Sequence, residues 1–405
     1  MILNTVRLGD IATVTSSKRI FAHQYTPTGI PFYRQKEIID KKNKLDITDP
    51  LFISEDTYYQ IKNKFGVPQK GDLLITAVGV TLGIPYVVAD EVFYFKDGNL
   101  IWLKDFDNDV NSKYIYYWIT SDLGQKSMWS RIIGAAQPAL TIDAIKQFEI
   151  QLPNIDIQNK IAEILSAYDD LIENNQKQIK LLEEAAQRLY TEWFVDLRFP
   201  GYENTPITDG VPQGWKVIEI GTAFKTLLGG TPSREKAEYW ENGTVPWINS
   251  GKVNELRVVE PSEYITDIAL DRSATKLLPK HTTLVAITGA TLGQVSYTEI
   301  ETCANQSVVG IVDESQRYSE YVYCYVLDNI KNIIGKATGG AQQHINKDIV
   351  NSYPIILPND DIAVKFQSAA KPIFDKISKL LFENINLTEA RDRLLPKLMS
   401  GELEV

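Results

Sequence analysis

From residue 156 to residue 193 the chain carries no glycine or proline, and its apolar positions fall in alternating steps of three and four. Leu165, Tyr168, Ile172, Asn175, Ile179, Leu182, Ala186, Leu189 and Trp193 form one ladder. A sustained 3.5-residue period predicts a helix whose seam must be covered by another helix. A candidate partner stands 205 residues later, where Ala370, Ile373, Ile377, Leu380, Asn384, Leu387, Arg391, Leu394 and Leu398 hold the matching positions. Most are apolar, and each ladder keeps one asparagine. Two helices are predicted, over 156–193 and 362–398, each roughly 57 Å long at about 1.5 Å per residue. Leu165, Ile172, Ile179 and Leu182 of the first and Ile373, Ile377, Leu380 and Leu387 of the second are expected along the seam. Pro396 and Gly401 are expected to kink or stop the second helix. The alternative, each helix lying on its own domain, calls for a wider apolar face.

The flanking sequence has a different texture. Short apolar runs at 72–77, 86–89 and 283–288, separated by Gly and Pro turns, predict strands, while 114–119 and 321–327 open helical stretches. These runs also repeat. "IPFYRQKEI" (30–38) is similar to "VPWINSGKV" (245–253), "LLITAVGVTLG" (73–83) to "TLVAITGATLG" (283–293), and "SKYIYYWI" (112–119) to "SEYVYCYV" (319–326). "GAAQPALTIDAIKQFEIQLP" (134–153) returns as "GGAQQHINKDIVNSYPIILP" (339–358), and the offset of 205 then holds through both helices. Each copy is therefore a variable part followed by a part of fixed length. The fold expected is α+β: two similar α+β domains separated by two long helices packed as an antiparallel coiled coil, pseudo-two-fold symmetric. The division is 1–153 for the first domain, 154–197 for the first helix, 198–215 for a connector marked by Pro200, Pro206, Pro212, Gly201, Gly210 and Gly214, 216–358 for the second domain and 359–405 for the second helix.

Composition narrows the class. The chain has 405 residues, 44% hydrophobic and 23% charged, enough for two to three ordinary globular domains. No apolar run is long enough to span a membrane, the opening residues lack the plan of a signal peptide, and two cysteines cannot build a disulfide framework or a four-ligand metal site. A cytoplasmic protein with reduced thiols is expected. The net charge of −10 argues against a generic nucleic-acid binder. Its distribution weakens that objection, because residues 1–153 are neutral with 17 basic and 17 acidic side chains, while 154–204 alone carries −5.

Catalytic signatures are missing. There is no Walker loop, no dinucleotide fingerprint, no His-Glu-x-x-His and no Asn/Asp-Pro-Pro-aromatic run; "LGGTPS" (228–233) has glycines without the spacing or the lysine. His23, His281 and His344 sit in unrelated contexts, Cys324 reads as a buried thiol, and Glu260 and Glu263 lack the accompanying pattern of a nuclease. The sequence is that of a binder.

Two stretches then carry a family resemblance: "LPNIDIQNKIAEILSAYDDLIENNQKQIKLLEEAAQRLYTEWF" (152–194) and "EARDRLLPKLMSGELEV" (389–405) resemble the conserved regions of specificity subunits of type I restriction-modification enzymes. "GGTPSREKAEYW" followed by "VPWINSGKV" (229–253), and "GAQQHINKDI" (340–349), resemble that family's target-recognition domains. The resemblance runs the length of the chain; Gln158 fits the family's helix opening, but the second copy has Ala363 there. It implies a non-catalytic subunit that recognises double-stranded DNA, docks two methyltransferase subunits carrying S-adenosylmethionine, and joins motor-nuclease subunits for cleavage, with no cofactor on this chain. A chain with residual catalysis of its own and a coiled-coil scaffold without DNA contact are the competing readings.

Side chains that read bases must be polar and placed on a scaffold, whereas phosphate contacts only position the protein. Gln137 and Gln342, with Gln343 beside it, follow small-residue turns and read as adenine contacts or as turn caps. Tyr33, Arg34 and Gln35 follow the "IPF" run, with Asn249 and Ser250 at the matching place. Lys18 and Arg19 correspond loosely to Ser233 and Arg234, and their basic members read as phosphate clamps. The repeated Gly79-x-Thr81-x-Gly83 and Gly289-x-Thr291-x-Gly293 reads as a tight turn or as a point of close approach to DNA.

Overall fold

The computed structural model describes residues 3–130, 139–336 and 344–405. By contacts the chain forms two compact units, Met1–Asn174 with Ile385–Val405, and Asn175–Asn384. The sequence divides into five consecutive segments, but the contacts group it differently. Each long helix is shared between the units, so each unit holds a recognition domain, one half of the first helix and the opposite half of the second.

In the first unit, strand Asn4–Arg7 pairs antiparallel with Glu149–Leu152. A four-stranded antiparallel sheet runs Thr13–Thr15, Leu100–Lys104, Leu73–Thr76, Pro85–Val87. A second sheet runs Tyr25–Thr26, Leu51–Ile53, Ile30–Tyr33, Tyr94–Phe95, its last pair parallel. The second unit repeats the plan. Lys216–Glu219 pairs with Pro354–Leu357, Lys225–Leu228 opens a five-stranded sheet through Val308–Val312, Thr283–Ala286, Val295–Thr298 and Arg257–Val258, and Val245–Ile248 lies between Glu263–Ile265 and Thr302–Ala304. The central strands are buried on both faces. Leu73, Leu74, Ile75 and Leu103 on one side, and Leu284, Val285, Val309 and Ile311 on the other, are at most 1% exposed. The helices expected from 114–119 and 321–327 are Ser112–Thr120 and Ser319–Ile334.

The duplication extends to single hydrogen bonds. Tyr114 donates its hydroxyl to the Gln151 carbonyl at 2.7 Å, and Tyr321 does the same to Ile356. Thr141 caps the short helix Ile142–Lys146, and Asn346 caps Lys347–Asn351. The copies part at the helix opening. Gln158, 1% exposed, donates to the carbonyls of Pro153 (2.8 Å) and Asp109 (3.0 Å) and accepts from the Asn111 amide, pinning the helix to its domain. Ala363 has no side-chain amide to offer, and the Tyr318 hydroxyl reaches the Pro358 carbonyl and the Asp360 carboxylate instead.

The first long helix spans Ile155–Tyr190 and closes in a π-helical turn, Thr191–Val195; the second spans Asp360–Ser400. In the first unit, Ile161 and Leu165 share a core with Leu395, Leu398 and Met399, and Arg391 meets Asp169 at 2.6 Å. In the second, Asn175 donates to Asn384 at 3.0 Å and Trp193 packs on Phe366. Within each unit, numbers rise along one helix as they fall along the other, so the halves are antiparallel. Along the seam Leu165, Ile377 and Leu380 are buried, while Ile172, Ile179, Leu182, Ile373 and Leu387 are half-buried. Leu165 also lies within the core of the first unit, which completes its burial. Pro396, expected to kink or stop the second helix, does not stop it. Its ring lies on the exposed side, and Leu395, Leu398 and Met399, all within the core, hold the helix to Ser400, where Gly401 at φ 75° ends it. Among the described residues no helix is long and apolar enough to cross a membrane.

Candidate nucleic-acid interface

The strand directions bring most of the candidate residues to one edge of the first unit. Strand Leu73–Thr76 leaves the sheet at Ala77, whose amide donates to the Asn99 carbonyl at 2.8 Å, just before strand Leu100–Lys104 begins. Strand Thr13–Thr15 leaves at the same end, and the Ser16 hydroxyl donates to the Leu100 carbonyl at 2.8 Å. Strand Ile30–Tyr33 ends beside them, with the Lys96 amide on the Tyr33 carbonyl at 2.9 Å. Loops 16–19, 34–35, 77–83 and 96–99 therefore meet, and Ala139, bridged to Val78, brings the chain back to the same place. The second unit repeats this edge. The Gly230 amide reaches the Ala304 carbonyl (2.8 Å), Ile287 reaches Ser307 (2.9 Å), and Ile345 reaches Ile287 (3.0 Å). The two glycines of "LGGTPS" serve this approach, because a Cβ on Gly229 would stand 2.1 Å from the Asn305 carbonyl oxygen.

Several candidates are engaged within the chain. Tyr33 is a correction. Named as a candidate DNA contact, it is 7% exposed, stacks on Phe93 at 4.9 Å, and its hydroxyl is pushed up to about 12 by burial and by Glu91 and Glu37. The cause is that its sheet is covered on both faces, so Phe32 and Tyr33 enter different cores. Arg34 donates through its backbone (2.8 Å) and its guanidinium to Glu37, which is 2% exposed. Burial alone would raise the Glu37 carboxyl, but the Arg34 hydrogen bonds hold it below its ordinary value. Gln35 donates its amide to the Val78 carbonyl (2.8 Å) and the Thr81 hydroxyl (2.9 Å), tying the helix start to the Gly-x-Thr-x-Gly turn. Asn249 accepts from the Gly251 amide at 2.8 Å as a helix cap, with Ser250 half-exposed behind it.

The basic loop residues differ between copies. Arg19 donates to Asp97 at 2.8 Å while its side chain stays 67% exposed, a pair loose enough to exchange its carboxylate for a phosphate. Arg234 is more fixed, bidentate on Glu263 at 2.7 and 2.6 Å and lying 3.4 Å above the Trp240 ring. Its neighbour Ser233 accepts from the Trp240 indole at 3.1 Å. Arg234 thus orients its loop. Lys18 is exposed at the edge. Gln137, Gln342 and Gln343 lie outside the described residues.

Gly79 and Gly83 take φ of 77° and 81°, and Gly289 and Gly293 take 71° and 83°, so the repeated motif is a tight turn at both edges. Its tip shows a residue that sequence reasoning missed. Val80 is 94% exposed, an apolar side chain suited to a thymine methyl. Gln306, which accepts from the Thr231 hydroxyl at 2.5 Å, is a second. The repeat marked the Val80 turn; nothing in the run "CANQSVV" marked Gln306.

Among the described residues the candidate reactive groups are not arranged for bond-making. Cys303 and Cys324 are buried and burial pushes both thiols up, His281 stacks on Tyr297 with its pKa lowered by burial, and Glu263 belongs to Arg234. No cluster of His, Cys, Asp and Glu among the described residues is placed to hold a metal.

Known proteins share this construction. The family model described as type I restriction modification DNA specificity domain matches twice, over residues 3–184 and 212–393. The type I restriction enzyme MjaIX specificity subunit of Methanocaldococcus jannaschii is 31% identical over 73% of this chain and 70% of its own length. The HindI specificity subunit of Haemophilus influenzae is 24% identical over 66% of this chain and 71% of its own. The crystal structure of the type I restriction-modification S subunit from M. genitalium superposes with a TM-score of 0.63 at 16% identity, covering 98% of this chain and 96% of that one, and so shares the fold. With the specificity domain matched twice over most of its length, the chain belongs to the type I restriction-modification DNA specificity family.

Proposed function

We propose that this chain is the DNA-reading subunit of a type I restriction-modification complex, each of its two specificity domains reading one half of a bipartite, asymmetric target. The observation that carries this reading is the repeated loop edge. The same strand ends present it in both units, but with different side chains: Lys18, Arg19 and Gln35 in one, Ser233, Arg234 and Asn249 in the other. A duplicated frame with divergent tips suits two half-sites of different sequence.

The chain carries no chemistry of its own in this reading. Two methyltransferase subunits dock on the long helices and bring S-adenosylmethionine, and motor-nuclease subunits join for cleavage, in the cytoplasm. The net charge of −10 is compatible with DNA binding because phosphate contacts are summed over the whole complex. Methylome sequencing of cells expressing the chain with its partner subunits tests the proposal. Methylated adenines in a two-part motif with an unread gap are expected. A continuous palindromic motif, or methyl transfer by the purified chain alone, contradicts it.

A further inference from the structure

A cavity of about 290 Å³ opens in the first unit beside loop 16–19. Strand register explains its lining. Thr13 faces Lys104 and Thr15 faces Trp102 across paired strands, so these four side chains share one sheet face, while Val14 and Leu103 between them enter the core behind. Phe65, 49% exposed at the end of helix Glu55–Phe65, stands over the cavity, and the Tyr94 hydroxyl accepts from the Lys18 amide at 2.7 Å at its mouth. Two ammonium groups reach in over aromatic rings: Lys18 lies 4.7 Å from the Phe65 centroid and Lys104 lies 4.9 Å from that of Trp102. The floor is rigid, because the Trp102 indole donates to Asp72 at 2.8 Å and meets Phe95 edge to face.

The second unit has a different lining at the same strand register. Gly310 stands for Trp102 and Val312 for Lys104, with Lys225 and Leu227 in place of Thr13 and Thr15, and a Cβ on Gly310 would meet Leu278 at 2.7 Å. The cavity is therefore a feature of one copy, not of the shared scaffold.

We propose that this cavity binds a nucleotide: an aromatic base on the exposed ring of Phe65 in place of the Lys18 ammonium, above a Trp102 floor that is 3% exposed, with its phosphate between the ammonium groups of Lys18 and Lys104 and the hydroxyls of Thr13 and Thr15. The volume sits near the ~300 Å³ lower end of small-ligand sites. Stacking platforms beside cations hold nucleotides in this way without reading sequence. Lys104 already has a carboxylate 3.2 Å away on Asp105, but that side chain is 64% exposed and readily exchanged for a phosphate. The nucleotide has two sources, a free mononucleotide or one turned out of the duplex, and only the second rests on the proposed function.

The test is calorimetric titration of the full chain with each of the four deoxynucleoside monophosphates, with deoxyadenosine and with inorganic phosphate. At least one monophosphate binds about ten-fold or more tighter than either fragment, and Lys18→Ala/Lys104→Ala, with an unchanged melting curve, weakens it by about ten-fold. In the assembled complex, 2-aminopurine scanned through the bound target reports an unstacked base. A signal lost in the double variant assigns the site to DNA; monophosphate binding without that signal assigns it to the free nucleotide. Phosphate binding as tightly as any monophosphate, affinity unchanged in the double variant, or neither binding nor signal overturns the proposal. Nucleotide binding by a chain that fails to direct methylation overturns the DNA reading alone.

Discussion

Arg257 shows how much one side chain can hold. Its side chain is 1% exposed, it meets Glu183 at 2.7 Å and Glu299 at 3.3 Å, and its guanidinium lies 4.1 to 4.8 Å from the rings of Phe374, Tyr297 and Tyr323. A strand of the second domain is thereby fastened to both helix halves of its unit. Burial alone would lower the arginine, but the carboxylates and Tyr323 hold it raised and charged. Arg257→Met should cost about 3–5 kcal/mol in denaturant unfolding, because two carboxylates lose their partner in a buried place. The loss should depend on pH. Burial already raises Glu299 against the pull of Arg257, and without the arginine the rise is larger. The folded state then holds more protons than the unfolded state above the ordinary value of 4.5, so the variant's stability falls as pH rises through that interval. A deficit equal at acidic and neutral pH would contradict the pairing. At the loop edge, Arg19→Ala should lower the slope of log affinity against log salt by about one without changing the motif, since it removes one phosphate contact. Sequence reasoning found the residue types of this edge but not their engagements. Arg34 and Glu37 are spaced to pair on a helix, yet only the fold shows Glu37 buried beneath it. Tyr33 was singled out as a polar residue after the "IPF" run, and nothing local shows that its sheet is covered on both faces.

The long helices were the most legible elements: the first has a 3.5-residue period with no glycine or proline, and the second repeats that period 205 residues later despite Pro372 and Pro396. The strands at 72–77 and 283–288 were legible as buried apolar runs. Their pairing was not, since the neighbours of Leu73–Thr76 come from residues 85–87 and 100–104, and no local signal names them. The ladder also hid which faces the domains cover, which is why Leu165 is buried and Ile172 only half so. Within the second unit, Asn175 (5% exposed) and Asn384 form a polar step in the seam. Such pairs fix register at some cost in stability. Asn175→Leu alone should lower stability by about 1–3 kcal/mol by stranding the Asn384 amide, whereas Asn175→Leu/Asn384→Leu should melt higher than either single variant. A double variant no more stable than the single ones would remove the asparagine pair from the seam. Ile172→Asp/Leu182→Asp should place charges where apolar packing is needed and, in this account, dissociate the methyltransferase complex. Sedimentation would show smaller species; intact assembly would refute the seam as drawn.

At the scale of the whole chain, duplication is the organising fact. Both copies keep hydrogen bonds that tie a helix to a strand within each domain, such as Tyr114 to Gln151 and Tyr321 to Ile356, while the loop tips diverge. That pattern separates framework from reader, and it predicts that readers can be exchanged. Residues 1–153 supply the whole loop edge of the first unit, and Phe148 and Ile150 supply the core face on which Ile161, Leu165, Leu395 and Leu398 pack. A graft that keeps that face should dock on the native helices. The most direct measurement is the methylome of cells carrying the partner subunits and a chimera in which residues 1–153 come from another family member. The expected motif has one half-site replaced, with the other half-site and the gap unchanged. A chimera that alters both half-sites together would contradict it.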